Sequence, residues 1–434
     1  VLFRSVIIMA EKINNYLGLP GLSGAEMVET FEAHARQMGV DFVTGKALSA
    51  MSFGGEIYLT VGGDVCQGKK LILAGGMGSR LWPTSREGLP KQFIDFTGTG
   101  LSLLQQTYNR FAAFIAPEHI LVSTQASYLH YIQEQLPQLP IGQVLVEPVR
   151  RGTLAPVTWA TSAINHICPG ARMVVSPADQ EIFDEKAFEE NILRALDFVG
   201  SRDGVVTICE KPSRPETAYG YVQAGEPIDG DEQIFRVKTF TEKPNADFAQ
   251  MFMDSGEFYW NTGLFVFATE YMLSNIVKHV PEYRDEFPEI ADPSVVASIV
   301  TVPRYYSALP NLSLEYALLE HTGHNYMLLS RFGWADLGSW QGVFTDAVHT
   351  VGRNTPHPPT DIKVDGRNNV TVHSEALFDN AEDNIVRLPH GHIAVISGLN
   401  GFAVSEEDGV LMICPKDDTA AMRRLQTLAH LDSL

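Results

Sequence analysis

A chain of 434 residues with an apolar fraction of 45% can bury the cores of two or three domains. Its formal charge of −20 argues against a nucleic-acid groove or an anionic membrane surface as partner. An anionic small molecule stays admissible, because it needs only a local cluster of cations. No run of about 18 apolar residues is present and no charged-then-apolar leader is visible, so a cytoplasmic protein without a membrane partner is expected. The cysteines Cys66, Cys168, Cys209 and Cys414 lie far apart and form no C-x-x-C pair, which suits a reducing compartment and a packing role.

The first 68 residues read as a separate piece. Ser23 to Glu26 is a capping box, Met27, Phe31, Ala35 and Met38 share one helical face, and Gly39 is a stop. Ala47 to Phe53, a Gly54-Gly55 turn and Ile57 to Val61 follow as a hairpin. The string from Ile13-Asn14-Asn15-Tyr16-Leu17-Gly18-Leu19-Pro20 through Gly39-Val40 resembles the middle of the FAD domain of thioredoxin-reductase-like flavoproteins. The dinucleotide glycines and redox cysteines of that family are missing here, so flavin chemistry is not implied. This likeness runs up to Lys70-Leu71-Ile72-Leu73-Ala74, where the chain turns to another pattern, as a chimera would. Val1 in place of Met, and Leu2-Phe3-Arg4-Ser5, which reads as a common adapter frame, point the same way; a natural regulatory appendage is the alternative.

Leu71 to Ala74 reads as a buried strand running into Gly75-Gly76-Met77-Gly78. A loop with so few side chains can converge its N–H groups on phosphate oxygens; by spacing alone it is equally a tight turn. Arg80 adds a fork of donors and Lys91 a mobile point charge. The P-loop pattern fails for want of Gly-Lys-Ser/Thr, and the dinucleotide fingerprint fails at Leu81. The longer string Gly75-Gly76-x-Gly78-x-Arg80-Leu81-Trp82-Pro83, with Pro90-Lys91-Gln92-Phe93, resembles the signature of sugar-1-phosphate nucleotidylyltransferases. Its Trp-Pro and Gln-Phe details are similar to the mannose-1-phosphate guanylyltransferases.

From residue 71 to about 350 strand-like and helical segments alternate, which predicts an α/β fold with a Rossmann-like sheet and chemistry at the turns after its strands. Helices are expected at Leu103 to Phe114, Ser127 to Gln135 and Thr153 to Ile167. Strands are expected at His119 to Ser123, Val144 to Glu147 and Arg172 to Ser176. Asn354 to Pro359 reads as a proline linker. Short apolar runs at 369–372, 384–388, 393–396, 402–404 and 410–413 then predict a small C-terminal β domain closed by a helix at 417–429, which the resemblance makes a left-handed β-helix. The expected domains are 1–68, 69–353 and 354–434.

Val174 to Asp179 and Trp334 to Trp340 each present a carboxylate, Asp179 and Asp336, after an apolar stretch. Each acid could be a helix cap or turn former. Two such acids also suit Mg²⁺, which takes one or two carboxylates together with phosphate oxygens and water. Both strings match the Pro-Ala-Asp and Asp-Leu-Gly-Ser-Trp motifs of the resembled family, whose acids hold the metal. The resemblance further implies that Gly75, Gly76, Gly78 and Ser79 hold the nucleotide, that Glu147 accepts from guanine, and that Tyr219, Gly220, Glu242, Lys243, Asn261 and Thr262 meet the sugar phosphate. Cys209-Glu210 and Ala218 depart from the family's usual Gly-Ile and Gly, and Glu315 from its Asp. No H-x-x-x-H pair or Gly-x-Ser-x-Gly elbow appears, so neither zinc nor a covalent nucleophile is expected.

The resemblance implies an enzyme that joins GTP to mannose 1-phosphate with Mg²⁺, releasing pyrophosphate. A sister enzyme with another sugar or base, or a non-catalytic sugar-nucleotide sensor, would keep the same phosphate residues. Self-association is left open.

Overall fold

The computed structural model describes residues 47–53, 56–61, 64–68, 79–228, 231–286, 302–303, 305–351 and 360–428. The helix expected at 27–38, the strand at 71–74, Gly75, Gly76, Gly78 and the proline linker lie outside them. Contacts divide the chain into two units: Val1–Gly75 with Pro215–Tyr219 and Glu242–Met251, and Gly76–Arg214 with Gly220–Thr241 and Phe252–Leu434.

In the first unit β1 (Ala47–Phe53), β2 (Glu56–Val61) and β3 (Asp64–Gly68) form an antiparallel meander. Phe53 pairs with Glu56 and Val61 with Asp64. The third strand extends the hairpin read from the sequence.

The second unit begins with α1 (Leu103–Ala112), β4 (Val122–Gln125), α2 (Leu129–Gln135), β5 (Val144–Glu147) and α3 (Leu154–Ile167), close to the predicted order. Ser102 and Gln105 exchange a capping box at the start of α1. There follow β6 (Arg172–Val175), β7 (Gln180–Ile182), α4 (Glu185–Ser201), β8 (Val205–Glu210), β9 (Gly220–Ile228), β10 (Asp231–Glu242), β11 (Phe258–Ala268), α5 (Thr269–His279), β12 (Asn325–Leu329), β13 (Trp334–Asp336) and α6 (Trp340–Thr350). The main sheet runs β6-β11-β8-β12-β10-β9. It is mixed: β8 and β12 are parallel, whereas β11 is antiparallel to β6, β8 and β9. Strands β4 and β5 pair in parallel with each other.

The last segment holds β14 (Ile362–Val364), β15 (Val370–Val372), β16 (Glu375–Asp379), β17 (Ile385–Arg387), β18 (Ile393–Ser397), β19 (Phe402–Glu407), β20 (Val410–Pro415) and α7 (Thr419–Leu428). Strands β15, β17 and β19 stack in parallel on one face and β16 and β18 on another, as the coils of a β-helix do. Buried Asn369 and Asn384 support the corners. Asn384 Nδ2 donates to Asn369 Oδ1 at 2.9 Å and to the Leu399 carbonyl at 2.6 Å, and Phe402 N donates to Asn384 Oδ1 at 3.0 Å. One apolar core joins Leu81, Phe96, Leu103, Trp340 and Val343 to Val370, Val372, Ile385, Ala403 and Met412. The residues on either side of the expected 353/354 boundary therefore share their packing.

Candidate active site

A two-stranded antiparallel ribbon, β7 with β13, sets the two acids side by side. Asp336 lies opposite Gln180, whose chain neighbour is Asp179. The ribbon is tied to the main sheet by Gln180 Nε2, which donates to the Thr262 carbonyl. Asp179 is not the cap of the next helix, for Asp184 fills that place and accepts from Ala187 N at 2.9 Å. Asp336 ends its strand at a turn in which Ser339 caps α6, its Oγ accepting from Gly342 N at 3.1 Å. A Cβ on Gly338 would stand 2.7 Å from Asp336 Oδ2, so the bare glycine keeps open the space of that carboxylate.

Lys91 comes to both acids from a short 3-10 turn, Lys91–Phe93. Its ammonium lies 2.8 Å from Asp179 Oδ2 and 3.4 Å from Asp336 Oδ1, and the three side chains are 14%, 26% and 20% exposed. Burial works against the ammonium, but attraction to Asp179 and Asp336 outweighs it and holds Lys91 above the ordinary lysine range. Arg80 is near enough for its charge to oppose that gain. The sequence-predicted Arg80, Lys91, Asp179 and Asp336 therefore share one locality. Two partly exposed carboxylates able to share one cation suit a hard divalent ion completed by phosphate and water, and the donor set fits Mg²⁺. Among the described residues no group of three or more His, Cys, Asp or Glu side chains is placed to hold a metal by itself.

Glu181, within the ribbon, and Asp346, buried in α6, are acids that the sequence reading did not pick out. Burial and then the neighbouring Asp346 push the Glu181 carboxyl up, and burial pushes that of Asp346 up.

The remaining predicted residues are distributed as follows. Glu147 ends β5, with Ser123 Oγ donating to Oε1 at 2.9 Å and the Tyr306 hydroxyl to Oε2 at 2.8 Å. Burial outweighs these bonds and raises its pKa. Arg151 is turned to the Ser307 carbonyl and Thr153 Oγ1 accepts from Leu314 N at 2.9 Å, so this loop braces the segment 307–314. Asn261 and Thr262 sit at an irregularity between β11 and β8. Asn261 Oδ1 accepts from Thr207 Oγ1 at 3.2 Å and from Gly263 N at 2.9 Å, so its acceptor side is engaged. Thr262 is 1% exposed and its hydroxyl donates to the Ile208 carbonyl at 2.7 Å. The Thr262 side chain thus fixes the bulge. Ser79 begins the 3-10 turn Ser79–Leu81, and Gly220 begins β9. In the first unit Lys243 has φ 47°, donates its N–H to the Tyr219 carbonyl at 3.2 Å, and pairs its ammonium with Glu242.

Comparison with known proteins identifies the family of the chain. A nucleotidyl transferase family model matches residues 69–351. The mannose-1-phosphate guanylyltransferase of Salmonella muenchen is 31% identical over 368 residues, covering 82% of this chain and 72% of that protein. That of Escherichia coli K12 is 33% identical over 297 residues, covering 66% of this chain and 61% of that protein. A crystal structure named as a mannose-1-phosphate geranyltransferase, from Thermus thermophilus, superposes with a TM-score of 0.69 at 26% identity, over 82% of this chain and 97% of that one. The chain belongs to the nucleotidyl transferase family.

Proposed function

We infer that the chain transfers GMP from GTP to mannose 1-phosphate, giving GDP-mannose and pyrophosphate. The observation that carries this reading is the meeting of Lys91 with Asp179 and Asp336, within reach of the charge of Arg80, in a chain whose relatives bear that activity. A phosphate oxygen of mannose 1-phosphate attacks the α-phosphorus of GTP in line. That oxygen is already anionic at neutral pH, so no strong general base is required. The task of the protein is to hold two mutually repelling anions in register and to neutralise charge as it develops. Arg80 and Lys91 supply fixed positive charge. Asp179 and Asp336 would hold Mg²⁺, which when bound neutralises phosphate charge and aligns the triphosphate.

Gly75, Gly76, Gly78 and Ser79 are assigned to the nucleotide phosphates by the likeness of their motif. Glu147, one lone pair of each oxygen already used, is assigned to the base. Tyr219, Gly220, Glu242, Lys243 and Asn261 are assigned to the sugar phosphate by their motifs alone. Residues 1–68, with their likeness to a flavoprotein fragment, stand outside this chemistry. No helix among the described residues is long and apolar enough to cross a membrane.

A coupled pyrophosphate-release assay tests the reading. The full chain and a chain lacking residues 1–67 should both turn over GTP with mannose 1-phosphate at similar rates, and only with Mg²⁺. Binding of GDP-mannose without pyrophosphate release would replace the enzyme with a sensor. A folded truncated protein without turnover would bring residues 1–67 into the chemistry.

A further inference from the structure

The segment between Arg80 and Lys91 is too short to have a core of its own. Leu81, Trp82, Ile94 and Phe96, near its two ends, are buried against residues of the C-terminal strands. Polar contacts follow the same route. Thr84 Oγ1 lies 2.9 Å from Ser405 Oγ, and both residues are fully buried. Arg86 pairs with Asp408, and Asp95 lies 3.4 Å from His373 Nε2. Beyond Lys91 the Gly98 carbonyl accepts from Thr360 N at 2.9 Å, while a Cβ there would stand 2.7 Å from the Ile362 side chain.

One side chain touches both arms of this segment. Arg387 ends β17, opposite Ser405 of β19 and Val372 of β15. Its Nη1 donates to Glu407 Oε2 at 2.6 Å and to Thr84 Oγ1 at 3.2 Å. The same guanidinium lies 6.0 Å from the ring centroid of Phe96, a distance at which a cation is still drawn to an aromatic face. Thr84 follows Arg80 by four positions and Phe96 follows Lys91 by five. Arg387 Nε is buried with no hydrogen-bond partner. A partly buried guanidinium whose Nε is left without a partner is a poor device for stability, since an apolar side chain of the same shape avoids the desolvation cost.

We propose that Arg387 is a positioning residue for the nucleotidyl transfer, bracing the segment that carries Arg80 and Lys91 through Thr84 on one arm and Phe96 on the other. It touches neither Arg80 nor Lys91 and acts by fixing the chain from which they project. A displacement of about 1 Å in groups that orient phosphate is enough to cost roughly a hundredfold in rate. The coiled strands thereby become part of the catalytic apparatus.

The inference rests on the activity proposed above, and the wild-type rate separates the two. Without wild-type pyrophosphate release the activity itself fails, whereas an active wild type with indifferent variants removes only the role of Arg387. In the full chain, with GTP, mannose 1-phosphate and Mg²⁺, Arg387→Ala should lower kcat at least tenfold while changing KM for either substrate less than about threefold. Millimolar guanidinium should recover part of that kcat and leave the wild type unchanged. Thr84→Val, which removes only the hydroxyl on the signature side, should lower kcat at least threefold and decides the matter where Arg387→Ala does not fold. Wild-type kcat in folded Thr84→Val, or a loss in Arg387→Ala that guanidinium does not touch, would overturn the proposal.

Discussion

The ammonium of Lys91 lies close to both Asp179 and Asp336. It gathers two carboxylates that would otherwise repel, and they in turn keep it charged. Because its pKa is raised, the ammonium is retained across the whole ordinary working range, and loss of activity at mildly alkaline pH should not come from Lys91. Deleting one well-aimed donor in a site of this kind costs on the order of a hundred- to a thousandfold in turnover. Arg80→Ala and Asp179→Asn should each lose at least about a hundredfold in kcat/KM while their melting temperatures stay near that of the wild type. A wild-type rate in either folded variant would remove that residue from the machinery. The sequence marked these residues as candidates because each sits in a string of chemically constrained neighbours, and the structure brings them near one another. The hydroxyl of Thr262 is buried against the Ile208 carbonyl, a tertiary contact that no local pattern carries.

The ribbon of β7 and β13 is the element on which the acids depend, and it was only half visible beforehand. Each strand is three residues long, below the length at which alternation can be read, so the sequence offered two separate turns and not their pairing. The pairing makes Gly338 and Gly342 separable tests. A Cβ at Gly338 would stand 2.7 Å from Asp336 Oδ2 and 2.9 Å from Oδ1, and the carboxylate can yield only by rotating away from its present place. Gly338→Ala should therefore raise the Mg²⁺ concentration needed for half-maximal turnover and lower kcat, with a stability change of about 1 kcal/mol or less. A Cβ at Gly342 would instead stand 2.5 Å from the backbone carbonyl of Asp336, which cannot swing aside. Gly342→Ala should show its effect in thermal unfolding, as a loss of several degrees. An unchanged Mg²⁺ requirement in Gly338→Ala would mean that Asp336 does not serve the metal.

Across the whole second unit, the sequence marked the coiled strands by evenly spaced apolar runs but read them as a domain apart. What it could not show is the joint core and the polar contacts, because these link residues some 250 to 320 positions apart, such as Thr84 with Ser405 and Trp340 with Trp82. One such contact makes stability depend on pH. The Asp95 carboxylate accepts from Gly98 N and Gly100 N, each at 2.7 Å, and faces His373, which also lies 3.0 Å from Asp361. Burial disfavours the Asp95 anion, yet the bonds from His373 and from the Gly100 and Thr97 N–H groups outweigh it and depress its pKa. The bond to Asp95 raises that of His373 against burial and the opposing charge of Arg387. A raised histidine stabilises the fold most fully below its unfolded value of about 6.5, and that contribution is lost as pH climbs through the folded value. A depressed aspartate contributes above its unfolded value of about 3.9 and loses the contribution as pH falls through the folded one. The pair therefore contributes in full only between those two limits, near pH 5 to 6. The wild-type melting temperature should fall between pH 6 and pH 9 by more than that of His373→Gln, and the two curves should converge at the alkaline end. Parallel curves across that interval would show that His373 takes up no proton on folding.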